Sequence, residues 1–363
     1  MKGNGLGETC IAGDQSDLVL FSRLGDRKVM HKKLLREARN RLLERIRHTK
    51  GTMTTTPAAE MIFQRLLEQI GAHRGRGLVF AAGGSADIIL AKTIAAGLVG
   101  RGCPRVDLVQ PLDCRNMSEM GLLASAGERH ALAGEDGLAP ESALRHHASV
   151  PASLHSSSTR GKGLSISSSI EWEHGNRYVC AAHGDGLSSL ARRCEGDAPY
   201  YEFAIGVDGG GDVLTHGDDE LDRIVLAGFR SGWLPARPLL LVSMGLGADG
   251  GSAPAEFDDV ALSGWKPVAS MDVDHTFADS LQVELEKLSL WHPSPESWTS
   301  GDHEWSYGFK VPQIIALAVR GECPFRVPGA DADVVMFPRR GELKLMKQSL
   351  LCEARIFRSD VSR

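Results

Sequence analysis

The sequence lacks the patterns that mark several large classes of protein. Its seven cysteines include no C-x-x-C pair, which disfavours a disulfide framework and a zinc site built on paired cysteines. No apolar run approaches the roughly 20 residues that span a bilayer, and no apolar segment follows a basic one at the start of the chain. We therefore expect neither a membrane span nor a signal peptide, and predict a cytoplasmic protein with reduced thiols.

Excess positive charge is also missing. The net charge of the 363 residues is −5, which argues against a protein that binds nucleic acid by neutralising phosphates. What is abundant is glycine, with 41 residues, about 11% against ~7% in an average protein. Many backbone positions therefore need a positive φ or a close approach to another group.

The composition changes along the chain and divides it into three parts. Residues 1–55 form a basic N-terminal extension, in which 29–48 have the spacing of an amphipathic helix. Residues 56–345 are predicted to form one α/β domain, with a serine-rich insertion near 148–170. Residues 346–363 are expected to be a C-terminal tail.

Helical and strand patterns alternate through the central part, which predicts a parallel sheet with helices on its faces. Strands are predicted at 77–84, 104–112, 177–182, 202–207, 238–245 and 332–340, the last as the closing strand. Helices are predicted at 57–73, 86–102, 186–194, 218–232, 276–290 and 310–322, the last as the final helix. The fold class is therefore an open, doubly wound, Rossmann-like and mostly parallel sheet.

Three predicted strands end in turns that combine glycine with aspartate, at 80–89, 206–214 and 244–252. In an open α/β sheet, ligands bind beyond the carboxyl ends of the strands, where the strand order reverses. Glycines there let backbone N–H groups face the ligand, and aspartates suit hydroxyls, a cationic amine or a metal ion. The predicted ligand-binding residues are Gly83, Gly84, Asp87, Gly209, Gly210, Gly211, Gly245, Gly247 and Asp249.

Acidic residues crowd into the second of these turns. Asp208, Asp212 and His216 are the catalytic candidates, as acid/base groups. Asp208 and Asp212 are also candidates for holding a metal ion, for which Mg²⁺ would be the choice. Asp218 and Asp219 are expected to cap the next helix.

Other interpretations of these residues remain open. The glycines could simply make tight turns while the aspartates cap helices. The protein could also bind a ligand or a partner without catalysis. A third alternative is a metal-dependent amidino- or amidohydrolase, which would use His183, Asp185, Asp272 and Asp274.

The run from Phe203 to Asp219, FAIGVDGGGDVLTHGDD, resembles the central signature of an uncharacterised prokaryotic family, domain of unknown function 1152. The strand that ends at Gly83 and Gly84, with Asp87 after it, is similar to that family's N-terminal glycine-rich loop, and GLGADGG is similar to a later one. The resemblance covers roughly 75–340. It implies the α/β fold and the location of the site, and it implies no activity.

The glycine turns are not interpreted as a nicotinamide fingerprint, and the chain has no G-x-x-x-x-G-K-[ST] or G-x-S-x-G pattern. Hydrolysis or group transfer is therefore favoured over redox chemistry. We expect a small-molecule enzyme that acts on a nucleotide or on a phosphorylated or other polar metabolite, with no nucleic-acid partner. The sequence leaves open whether the chain forms a homo-oligomer.

Overall fold

The computed structural model describes a little over half of the chain. The described residues are 61–83, 87–112, 138–140, 170, 172–182, 186–215, 220–248, 254–257, 262–288, 290–291, 310–322, 325–326, 333–339 and 342–360. The predicted extension at 1–55 and the serine-rich stretch near 148–170 therefore lie outside the described residues, apart from Ile170. Within the described ranges, no helix combines the length and apolarity that crossing a bilayer requires.

Thirteen strands and seven α-helices are found in the described residues. The strands are β1 (Arg76–Ala81), β2 (Arg105–Leu112), β3 (Leu138–Pro140), β4 (Arg177–Ala181), β5 (Cys194–Glu195), β6 (Ala198–Pro199), β7 (Phe203–Gly209), β8 (Leu239–Met244), β9 (Trp265–Asp272), β10 (Phe325–Arg326), β11 (Val334–Arg339), β12 (Glu342–Lys347) and β13 (Glu353–Ser359). The helices are α1 (Met61–Ile70), α2 (Asp87–Val99), α3 (Gly186–Ala191), α4 (Glu220–Gly232), α5 (His275–Lys287), α6 (Lys310–Val319) and α7 (Gln348–Leu351). A short 3₁₀ helix covers Pro254–Phe257.

Eight of these strands form one sheet, in the order β3-β4-β2-β1-β7-β8-β13-β9. The neighbours from β4 to β8 pair in parallel. β13 pairs antiparallel with both β8 and β9, and β3 pairs antiparallel with β4. The predicted fold class, a mostly parallel doubly wound sheet with helices on both faces, is confirmed.

The sheet is buried on both faces, which explains the unbroken apolar character of its central strands. All six residues of β8 are buried, as are the first six of β7. Residues of α1, α2, α5 and α6 form one apolar core with the strands, and residues of α3 and α4 form the other. α2 is buried around most of its circumference, as expected of a helix whose residues are apolar on every side.

The strand order reverses between β1 and β7. From β1 the chain builds the sheet outward through β2 and β4, and it then returns to place β7 and β8 on the other side of β1. The strands on both sides run in parallel, and open α/β sheets have a crevice at the carboxyl ends of the strands where the order reverses. We call this crevice, between the ends of β1 and β7, the switch-point crevice.

The end of the chain differs from the prediction. Residues 346–363 were expected to be a tail, yet β13 inserts between β8 and β9. Ala354, Ile356 and Phe357 are buried there, so this short apolar pattern stabilises the sheet instead of ending outside it. The expected closing strand at 332–340 belongs to a separate antiparallel sheet, β10-β11-β12, and α6 is followed by the short α7.

A buried carboxylate holds the amino ends of β1 and β2 together, at the opposite edge from the switch-point crevice. Asp107 accepts hydrogen bonds from Arg76 Nη2 at 2.7 Å, Tyr201 OH at 2.8 Å and the backbone N–H of Asn176 at 2.8 Å. The Arg76 guanidinium also stacks on the Tyr200 ring, 3.4 Å from its centroid. Burial, followed by the charge of Asp107, raises the pKa of Tyr201, so the phenol remains a donor.

The contact between α1 and α2 depends on a glycine, and this gives a first prediction. A Cβ at Gly97 would lie 2.0 Å from a ring carbon of Phe63. Alanine in a helix is favoured over glycine by up to about 1 kcal/mol, but overpacking a core costs about 1–3 kcal/mol. We expect Gly97→Ala to lower the free energy of unfolding by about 1–2 kcal/mol, measured by urea denaturation.

Gly100→Ala is the matched control, because its Cβ would meet only backbone oxygens at 3.5 Å or more. We expect this change to stay within about 0.5 kcal/mol of the wild type. Equal destabilisation by both variants would contradict the assignment of the effect to the Phe63 contact.

Candidate functional site

The turns after β1, β7 and β8 meet at the carboxyl edge of the sheet, as the sequence predicts. The N–H of Ala82 donates to the carbonyl oxygen of Val207 at 2.8 Å, which joins the ends of β1 and β7. The N–H of Gly210 donates to Met244 O at 2.9 Å, and the N–H of Gly247 donates to Gly210 O at 2.6 Å. The three glycine-containing turns therefore form one connected rim.

Asp87, the first residue of α2, bridges two of these turns with its carboxylate. Oδ2 accepts from the N–H of Gly83 at 2.9 Å, and Oδ1 accepts from the N–H of Gly209 at 3.0 Å. The residue is only 4% exposed. Asp87 was expected to orient a ligand hydroxyl or a metal ion, whereas in the structure both of its oxygens bind backbone.

Asp208 lies within β7 and not in the turn that follows it. It is fully buried, and its Oδ2 accepts a hydrogen bond from Ser243 Oγ of β8 at 2.5 Å. The register places these two residues directly opposite each other. The predicted strand ended at residue 207, so the acid/base candidate belongs to the base of the crevice and not to its surface.

A third buried carboxylate, Asp222 of α4, completes a group that we call the carboxylate cluster, consisting of Asp87, Asp208 and Asp222. A Cβ placed on Gly83 would lie 2.3 Å from Asp222 Oδ1 and 2.7 Å from Asp87 Oδ2. Glycine is therefore required at position 83, because any side chain would collide with two carboxylates. Asp222 is itself only 4% exposed.

The cluster changes the acidity of Asp87. Burial, followed by the negative charges of Asp208 and then Asp222, raises the pKa of Asp87 well above its usual 3.8. The two N–H donors from Gly209 and Gly83 act in the opposite direction. Desolvation and like charge outweigh these two hydrogen bonds, so Asp87 holds a proton at a higher pH than an exposed aspartate does.

The backbone after β7 packs closely against the 3₁₀ helix. Gly211 has a φ of +87°, and a Cβ there would lie 2.7 Å from the ring of Phe257. Asp212 follows and is partly exposed, so it is the catalytic candidate that the described structure leaves accessible. The nearby Arg223 of α4 donates to the carbonyl oxygen of Thr215 at 3.1 Å and fixes the far end of this turn.

Several predicted residues cannot be placed. Gly84, Asp249 and the catalytic candidate His216 lie outside the described residues, as do Asp218 and Asp219. Within the described ranges, no group of three or more His, Cys, Asp and Glu side chains has the geometry of a metal site. The assignment of Mg²⁺ to Asp208 and Asp212 stays a prediction.

The amidohydrolase alternative stays a prediction, because His183 and Asp185 lie outside the described residues. Asp272 ends β9 at the edge of the sheet. Asp274 instead caps α5, where its Oδ1 accepts from the N–H of Phe277 at 2.8 Å.

One glycine pattern was overlooked in the sequence. Gly245, Gly247 and Gly250 do have the G-x-G-x-x-G spacing. The dinucleotide fingerprint, however, belongs to the first strand-to-helix turn of the sheet, whereas this match follows β8, one strand beyond the switch-point crevice. The G-x-G-x-x-G match after β8 is therefore not interpreted as a nicotinamide-binding fingerprint.

Sequence analysis also missed two buried polar residues, for which the sequence holds a signal. Asp222 occupies the same helical stripe as Val225, Leu226 and Phe229, which are buried, and a carboxylate on an apolar stripe needs a partner or a function. Ser243 is likewise a hydroxyl within the buried strand LLLVSM.

The raised pKa of Asp87 gives a second prediction. Between its unfolded and folded pKa values the folded protein binds more protons than the unfolded chain, so the contribution of Asp87 to stability falls as the pH rises. Asparagine does not titrate. We therefore expect the stability of the wild type relative to Asp87→Asn to decrease from about pH 4 to pH 8, measured by urea denaturation at each pH.

Thr93→Val on the same helix serves as the control for this titration. Thr93 is buried, and its Oγ1 donates to Ile89 O at 2.9 Å. The difference in free energy of unfolding between Thr93→Val and the wild type should not depend on pH. If the wild type became more stable relative to Asp87→Asn as the pH rises, the pKa of Asp87 in the folded protein would be lowered and not raised.

Comparison with known proteins gives distant likenesses among solved structures. No family model and no curated protein matches the chain. Among solved structures it is similar to the rRNA methyltransferase aviRa from Streptomyces viridochromogenes, at 14% identity over 61% of this chain and 84% of that chain, with a TM-score of 0.28. It is also similar to the glycopeptide N-methyltransferase MtfA complexed with S-adenosyl-L-methionine (14% identity, 61% and 77% coverage, TM-score 0.21).

The CcbJ methyltransferase from Streptomyces caelestis is a further likeness, at 10% identity over 81% of this chain and 87% of that chain, with a TM-score of 0.23. Scores this low carry no conclusion about activity. The fold of the described residues is established by its own strand order and strand directions.

Proposed function

We propose that the protein is a transferase that binds a nucleoside-type donor in the switch-point crevice. The observation that carries this proposal is the reversal of strand order between β1 and β7, with a glycine turn at the carboxyl end of each strand. Open α/β sheets bind their ligands at such a point. The missing side chain at Gly83 lets the carboxylates of Asp87 and Asp222 come close to the backbone at the base of the crevice.

The charge of the crevice favours one kind of ligand over another. Three buried carboxyl groups lie at its base, and each adds negative charge when it is ionised. In a buried environment like charges repel strongly, so a triphosphate is disfavoured there. A ligand with hydroxyl donors or a positive charge gains from the same groups. The ligand expected from the sequence was a nucleotide or a phosphorylated or other polar metabolite, and the charge argument favours the hydroxyl-bearing or cationic members of that group.

S-adenosyl-L-methionine, the ligand bound to MtfA, has this chemistry, with ribose hydroxyls, an ammonium group and a sulfonium. When bound, it supplies a methyl group whose bond to sulfur breaks as an acceptor lone pair attacks the carbon, and sulfur keeps the electron pair as a neutral thioether. Such a donor carries its own activated group. The protein then needs to orient the donor and the acceptor and to exclude water, and it needs no covalent nucleophile.

The described side chains suit a protein that positions its ligand and supplies no nucleophile. Asp87 and Ser243 hold the backbone and the buried Asp208 in place, and the apolar strands below exclude water. Asp212, at the partly exposed rim, is the group that can accept a proton from an acceptor substrate. The thiol of Cys352 is not suited to attack, because burial and the charges of Asp272 and Asp333 raise its pKa to about 12.

The proposal predicts selective binding. In a thermal-shift panel, S-adenosyl-L-methionine and S-adenosyl-L-homocysteine should stabilise the wild type, while ATP and sugar phosphates should have little effect. A ligand at 100 times its Kd adds about 2.7 kcal/mol to the free energy of unfolding. If ATP raised the melting temperature and neither S-adenosyl compound did, the expectation that buried carboxyl groups disfavour a triphosphate would be wrong.

The location of binding is tested by two aspartate variants. Asp212→Asn changes the rim of the crevice, whereas Asp197→Asn changes an exposed aspartate in the β5–β6 turn, at the amino end of β7. We expect methyl transfer to be lost in Asp212→Asn and binding to be kept, with both unchanged in Asp197→Asn. Binding without any transfer in the wild type would favour a ligand sensor over an enzyme.

A further inference from the structure

The hydrogen bonds of Asp87 connect segments that are distant in the chain. Gly83 follows β1, and Gly209 ends β7, 126 residues further on; Asp87 accepts from both backbone N–H groups. These are the two sides of the switch-point crevice. The distance between the two sides is therefore set by one carboxylate and not only by the strand pairing beneath it.

We propose that Asp87 is the positioning residue of the donor site, which holds the turns after β1 and β7 in the geometry that the ligand requires. This inference rests on the proposed function. Asp87 would not touch the ligand, because it is buried and both of its oxygens already accept hydrogen bonds from backbone. It acts through Gly83 and Gly209, whose peptide groups line the crevice.

The position of this carboxylate is not one that stability alone would select. A buried carboxyl that faces two further carboxylates costs free energy, and two hydrogen bonds to N–H groups only partly offset this cost. Residues kept in unfavourable electrostatic surroundings cluster at functional sites. A positioning role explains why the residue at the start of α2 is acidic, because its two oxygens accept hydrogen bonds from the ends of two strands.

No other described side chain makes the same connection. The pair Ala82 N–H to Val207 O joins the strands one step below, inside the sheet, and it persists whatever residue occupies position 87. Gly83 and Gly209 have a close steric fit around Asp87, with a Cβ at Gly209 falling 2.9 Å from Asp87 Oδ1. Loss of the Asp87 carboxylate should therefore make the turns after β1 and β7 more mobile and leave the strand pairing intact.

The test measures amide exchange and affinity in the same protein. In Asp87→Asn one of the two acceptor oxygens becomes an NH₂ group, which cannot accept from an N–H. We expect the Gly83 or Gly209 amide to exchange hydrogen for deuterium about tenfold faster than in the wild type, while the Ala82 amide stays protected. The Kd for S-adenosyl-L-homocysteine, measured by calorimetry at a temperature where both proteins are folded, should rise about tenfold or more.

Thr93→Val, which removes a satisfied hydroxyl from the same helix, should leave the Kd within about twofold of the wild type. Faster exchange in Asp87→Asn with an unchanged Kd would overturn the positioning role, as would an equal loss of affinity in Thr93→Val. Absence of any binding to the wild type would instead overturn the proposed function, on which the inference rests.

The wild type offers a second measurement that does not depend on the folding of a variant. Binding of S-adenosyl-L-homocysteine should slow exchange at both the Gly83 and Gly209 amides by about threefold or more, because the ligand closes the rim that these amides form. Binding that leaves both amides unchanged would overturn the inference.

Discussion

The candidate site depends on one buried carboxylate that binds two backbone amides from different strands. Asp87 accepts from Gly83 at 2.9 Å and from Gly209 at 3.0 Å, and these two residues flank the reversal of strand order on which the proposed ligand site is based. The glycines are required on both sides, because a Cβ at either position would fall within 3 Å of the Asp87 carboxylate. The side chain of Asp87 thus explains why glycine is needed at both positions and holds together the two strand ends at the proposed site.

The same arrangement determines the electrostatics. Burial, followed by the negative charges of Asp208 and then Asp222, raises the pKa of Asp87, so this carboxyl group keeps its proton to a higher pH than an exposed aspartate does. Proteins avoid such groups in their interiors unless they are paired or functional. For this reason we propose a hydroxyl-bearing or cationic ligand for the crevice, and a nucleoside sulfonium donor is one compound with that chemistry.

The sequence predicts the sheet class and the three converging turns because these follow from local patterns, namely apolar strands that end in glycine. It does not predict β13, since Ala354, Ile356 and Phe357 become buried only through pairing with β8 and β9 from distant parts of the chain. Within the site, the sequence places Gly83 and the glycines at 209–211 at the ends of two strands, as the structure does, but their predicted binding of a ligand stays a prediction. The sequence does not predict that Asp87 bridges the two strand ends. The partners of a carboxylate are set by tertiary contacts, which a single sequence does not specify.

A crystal structure of the protein with S-adenosyl-L-homocysteine would show whether a ligand occupies the crevice between β1 and β7. We expect density for the ligand over the carboxyl ends of β1 and β7, with its polar groups against the backbone around Gly83 and residues 209–211. Ligand density at the opposite edge of the sheet, around Arg76 and Asp107, would rule out the crevice as the ligand site.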